Sequence, residues 1–156
     1  MTASETITRE HRSPAPPASE LVTAHHIRTA ARDSAVRATT AIGLGGIALI
    51  HAVDAVGKWS ETRYLFWMYM ALIVAAIVIA AGVLFSHSPR WLLAAAALAA
   101  SVFAGYVINR TVGLPSATGD IGNWTEPLGL ASLLVEGFVI AVALGGHAAA
   151  RQVPAV

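Results

Sequence analysis

Residues 64–86 run YLFWMYMALIVAAIVIAAGVLFS, without one charged side chain. A helix needs about 20 apolar residues to cross a bilayer core of about 30 Å, and this stretch meets that length. Tyr64, Trp67 and Tyr69 crowd its first turns, as aromatic side chains do at a membrane–water interface. Such a stretch commits the chain to a membrane. The rest of the sequence agrees: 12% of the residues are charged, against about 25% in soluble domains.

Three further apolar blocks flank this one. Residues 38–57 (ATTAIGLGGIALIHAVDAVG) place Gly43, Gly45 and Gly46 among Thr39, Ala41 and Ala48. Small residues one turn apart let another helix backbone come close. Residues 91–108 (WLLAAAALAASVFAGYVI) form an alanine-rich span, thin enough to need neighbours to pack against. Residues 127–146 begin after Glu126-Pro127, a helix start with proline in the first turn. The short connections KWSETR (58–63) and HSPR (87–90) favour neighbouring spans. The expected fold is therefore all-α: a four-helix transmembrane bundle, up-down-up-down, over residues 38–147. The halves 38–86 and 91–147 share hydropathy but no residue pattern, so no internal repeat is read.

The ends are polar. Residues 1–19, with Pro14, Pro16 and Pro17, have the composition of a disordered tail and no apolar segment of a secretory signal. Residues 20–37 can form a helix, with Arg28 and Arg32 four apart and Asp33 spaced to pair with Arg37. Two readings stay open for it: a solvated extension of the tail, or an interfacial helix turning its arginines to anionic lipid. Residues 148–156 read as a short polar tail. Four spans bring both termini to one side. Arg28, Arg32, Arg37, Arg90 and Arg151 lie on that side, against Lys58, Arg63 and Arg110 on the other, so both termini are expected in the cytoplasm. Arginine-rich, lysine-poor and alanine-rich coding points to a bacterium, hence to its inner (plasma) membrane.

The polar residues gather in one half of that membrane. At 1.5 Å per residue, Asp54 falls roughly 5 Å, His51 roughly 9 Å and Glu136 roughly 14 Å below the outer surface. Tyr106 and Arg110 end the third span in the same layer. The loop 111–126 turns at Gly113, Pro115, Gly119 and Gly122, and brings Asp120, Trp124 and Glu126. Ionisable groups inside a membrane are costly and usually face a bundle interior or a wet cavity. The expectation is an outward-facing pocket lined by His51, Asp54, Tyr106, Arg110 and Glu136 and lidded by the loop with Asp120, Trp124 and Glu126. Each residue also has a plainer role. Glu136 can be a protonated acid bonded to Ser132, His51 and Asp54 an i,i+3 pair with Asp54 reaching Lys58, Arg110 a side chain reaching the headgroups, and the loop a mere connector.

The chemistry is less determined than the place. Without cysteine there are no disulfides, thiolate metal sites or cysteine nucleophiles. A net charge of +1 gives no case for nucleic acid. His51, Asp54 and Glu136 would make a nitrogen–oxygen ligand set for zinc, iron or manganese, though at a spacing of low specificity. Met68 and Met70 lie two apart and point to opposite faces, against a copper site. His87 and His147 fall on the inner side and His51 on the outer, against a two-histidine haem; His51 with Met68 is the remaining haem pair. A proton-coupled transporter would use Glu136 as carrier with Arg110 as its partner. No serine-hydrolase motif is present, and no motif names a reaction. The remaining class is an accessory subunit, packed in a homo-oligomer or against a larger membrane complex.

Residues 110–115 (RTVGLP) and 120–129 (DIGNWTEPLG), with Glu136 beyond, resemble small four-helix integral membrane proteins of actinobacterial type that lack an assigned function. The resemblance covers the four spans and not the tail. It implies a bacterial inner-membrane setting and carries no activity, cofactor or residue role.

Overall fold

The computed structural model describes residues 17–152. Four helices make up most of it: α1 (Ala18–Glu61), α2 (Arg63–Phe85), α3 (Arg90–Thr111) and α4 (Pro127–Arg151), with a 3-10 turn at Thr118–Asp120. The described residues contain no strand, only an isolated bridge between Leu114 and Ala117. All four helices are long and apolar enough to cross a membrane.

The first helix departs from the expected bounds. Instead of a polar segment to residue 37 and a span over 38–57, α1 is one helix of 44 residues. The reason is local: residues 18–42 contain neither glycine nor proline, and Asp33 pairs with Arg37 one turn on, 2.8 Å apart. The connector expected at 58–63 also shrinks. Lys58 bonds Glu61 at 3.0 Å inside the last turn of α1, which leaves Thr62 as the one residue between α1 and α2. At the other end of the chain α4 continues to Arg151, because Ala148, Ala149 and Ala150 propagate a helix well. Most of the tail expected at 1–19, and residues 153–156 of the C-terminal tail, lie outside the described residues.

Two compact units divide the chain, one ending at Ala31 and the other beginning at Arg32. In the first, α1 residues 22–31 are exposed except for half-buried Ala24. The second holds the core: Leu44 and Ile47 of α1, Val83 of α2, Leu92, Ala95, Ala96 and Ala99 of α3, and Val139 and Ala143 of α4. The alanine run of α3 thus finds packing partners within its own chain. Close approach needs glycine at several positions, Gly43 and Gly82 among them. A methyl group on Gly43 would collide with Val139, and one on Gly82 with the Trp91 indole. Gly45, by contrast, faces open space. Outward-facing side chains are large and apolar, including Ile42, Trp67, Ile77, Phe85 and Leu134, as lipid contact requires of a spanning helix.

A buried arginine ties the end of α2. The Arg37 guanidinium donates to the carbonyls of Val83 (3.3 Å), Ser86 (2.8 Å) and His87 (3.1 Å). The Val83 carbonyl lies in the last turn of α2, and those of Ser86 and His87 follow it, at the negative end of the helix dipole. His147 Nδ1 lies 3.0 Å from the carbonyl of Pro89 in the adjoining turn. Arg37 is therefore a helix cap as well as one of the charges that read as orienting the chain.

A polar cavity as the candidate functional site

All four helices and the α3–α4 loop border one cavity of about 620 Å³. His51, Asp54, Tyr106, Arg110, Asp120, Glu126 and Glu136 line it. Trp124, the eighth candidate from the sequence, does not: it sits over Tyr106 edge to face, ring centres 6.1 Å apart, and is 42% exposed. Apolar side chains such as Ile50, Leu72, Leu98 and Val102 form much of the wall.

The rim is built on Arg110, which the end of α3 buries to 6% exposure. Its guanidinium meets Asp120 Oδ1 at 2.9 Å and Glu126 Oε2 at 3.3 Å, and lies over the Tyr106 ring, 4.9 Å from its centre. Both loop acids are thus held by one cation. Asp120 also accepts a bond from the Asn109 amide at 3.0 Å. Its side chain is spent on α3, while its backbone carbonyl makes the turn by accepting from Asn123 at 3.1 Å. Glu126 caps α4, accepting from the backbone N–H groups of Leu128 (3.0 Å) and Gly129 (2.7 Å). The loop bends back where only glycine is at ease, at Gly113 (φ 80°) and Gly122 (φ 79°), and the Gly122 N–H bonds the Arg110 carbonyl at 2.9 Å.

Asp120 titrates in this loop. Partial burial pushes its carboxyl up, but the Asn109 amide and the Arg110 guanidinium outweigh that and hold it below the usual carboxylate range.

Deeper in, Glu136 is fully buried. Ser132 Oγ, one turn earlier, donates to its Oε1 at 2.5 Å, and Oε2 has no partner. His51 is 8% exposed, with Nδ1 2.9 Å from the Ile47 carbonyl and its ring edge-on to Tyr69 at 5.1 Å. A bond to that carbonyl requires the proton on Nδ1, so in the neutral ring Nε2 is an acceptor.

Several sequence-based pairings resolve differently. Lys58 reaches Glu61 instead of Asp54, so Asp54 has no ion-pair partner among the described residues. Arg110 pairs with Asp120 and Glu126 and not with Glu136, which takes the Ser132 bond that its spacing had offered. Among the described residues no three histidine, aspartate or glutamate side chains converge on a metal position, so His51, Asp54 and Glu136 are not assembled as a ligand set. Lys58, Tyr69, Asn109 and Ser132 line the cavity as well. Ser132 was legible from its spacing to Glu136, and Asn109 from its place beside Arg110. No local signal brings Tyr69 to His51.

The buried side-chain polar atoms left without a partner among the described residues are Tyr106 Oη, Asn109 Oδ1, Arg110 Nε and Glu136 Oε2. All four residues line this cavity. A buried polar group without a partner costs about 1–3 kcal/mol. Donors and acceptors in this arrangement can bind a small polar or amphiphilic molecule. Comparison with protein-family profiles, curated proteins and solved structures finds no match.

Proposed function

We propose that this chain is an integral protein of a bacterial inner membrane that binds a small ligand in the cavity above. One observation carries the reading. The four unpartnered buried polar atoms belong to residues that line one cavity, although such atoms are uncommon in folded proteins. A shell that only packed helices would have little reason to gather them.

The bundle is up-down-up-down in this proposal, with both termini cytoplasmic and the cavity facing out. Two sets of contacts support that arrangement. Arg37 in α1 and His147 in α4 both reach the α2–α3 turn, while Tyr64, at the start of α2, donates to the Pro115 carbonyl in the α3–α4 loop at 2.6 Å. The arginine bias supports the orientation. The actinobacterial-type resemblance at residues 110–115 and 120–129 supports the setting.

Native mass spectrometry of protein released gently from its own membrane tests the reading. The expected result is a stoichiometric added mass that Ala75→Phe removes, since Ala75 lines the cavity and a ring there fills it. A bare chain that leaves the membrane only with larger subunits would overturn the pocket and make this an accessory subunit. Cysteine labelling at Thr118 tests the orientation, with outside reagents expected to reach it.

A further inference from the structure

Four carboxylic acids line the cavity, Asp54, Asp120, Glu126 and Glu136, against two cationic side chains, Lys58 and Arg110. Both cations are already engaged. Lys58 is bonded to Glu61, and Arg110 is held between Asp120 and Glu126. Asp54 and Glu136 remain without an ion-pair partner, and Glu136 presents Oε2 free while fully buried. The tyrosines Tyr69 and Tyr106 and an apolar wall complete the lining.

This pattern selects by charge and by size. A buried carboxyl with one free oxygen is complementary to a hydrogen-bond donor that carries positive charge. The faces of tyrosine rings attract cations too. A bare metal ion would need several ligands converging at about 2–2.6 Å, and the described side chains offer no such cluster. A volume of about 620 Å³ is that of a pocket for an organic molecule. An anion would find both lining cations already engaged.

We infer that the cavity takes a small organic monocation, a protonated amine on an apolar body, with its ammonium group at Glu136 Oε2 and its body against the apolar wall. Asp54 supplies a second acidic contact along the same cavity. This rests on the pocket reading above and adds the class of ligand.

The test compares 2-phenylethylammonium with 2-phenylethanol, which matches it in shape and carries no charge. Titration calorimetry on the full chain in detergent reads both, for the natural protein and for Glu136→Gln. The glutamine keeps the shape of the side chain and can still accept from Ser132. The expected result is that the ammonium binds at least tenfold more tightly than the alcohol. Glu136→Gln should weaken the ammonium tenfold or more and leave the alcohol unchanged. Equal binding of the two probes, indifferent to Glu136→Gln, would overturn the cation assignment and leave a pocket for neutral molecules. Binding of neither probe would overturn the assignment as well. The mass carried from the native membrane, and its loss in Ala75→Phe, then judges the pocket on its own.

Discussion

Ser132 Oγ donates to Glu136 Oε1 across one turn of α4, at 2.5 Å, and both residues are buried. Ser132→Ala leaves both carboxyl oxygens without a partner. It should lower stability by about 1–3 kcal/mol, the cost of an unsatisfied buried polar group. Removing both polar partners, in Ser132→Ala with Glu136→Leu, should recover most of that loss. Denaturant unfolding in detergent, followed by circular dichroism, measures it. A double variant as unstable as the single one would mean that the acid itself stabilises the helix.

The Arg110 latch is the next relationship to break. Its guanidinium is almost fully buried, while Asp120 and Glu126 keep about a third of their side-chain exposure. Arg110→Gln should cost about 2 kcal/mol, less than a fully buried pair would, because water screens the two acids. The loss should be local first. Trp124 rests on the Tyr106 ring that Arg110 covers, so its fluorescence should shift toward that of an exposed indole. Unchanged Trp124 emission together with an unchanged unfolding midpoint would show that the latch is not needed.

Acid should open the same latch. Asp120 has a folded-state pKa below its ordinary value of 3.8, because the Asn109 and Arg110 bonds outweigh the opposing effect of burial. A group depressed in this way contributes stability that is fully present above its unfolded pKa. That contribution is lost as pH falls through the still lower folded value. The loop should therefore stay closed from neutrality down to about pH 4 and loosen below that. Asp120→Asn should remove this step from a pH titration of Trp124 fluorescence. A loop that opens between pH 5 and 7 would point to another titrating group.

Gly43 and Gly45 are two apart and differ in what they meet. A methyl group at Gly43 collides with Val139, and one at Gly45 meets nothing within 4 Å. Gly43→Ala should cost about 1–3 kcal/mol through overpacking. Gly45→Ala should be neutral or slightly stabilising, since alanine favours a helix. Val139→Ala should relieve part of the Gly43→Ala defect. Equal effects at the two glycines, measured by thermal unfolding, would contradict the α1–α4 packing described.

The apolar blocks alone determined that four helices would be long enough to cross a membrane, because runs of about twenty mostly apolar residues leave little else to do with their backbone in lipid. Glu126-Pro127 likewise announced the start of α4, since a cap and a first-turn proline act within a few residues. The position of Glu136 in an apolar span marked it as a residue needing a partner, and its spacing named Ser132. The length of α1 was harder to read, because the sequence carries no break between a polar helical stretch and the apolar one that follows. Tertiary structure decided the partners. Lys58 was within reach of both Asp54 and Glu61, and only the fold shows that it bonds the latter. Arg110 could have pointed to lipid headgroups, to Glu136 or to the loop. The return of the loop at Gly122 placed Asp120 and Glu126 around it. Tyr69 read as an interface residue, yet it packs on His51, a contact between two helices with no local signature. Spacing along a helix fixes which residues share a face, and only the packing of one helix on another fixes what that face meets.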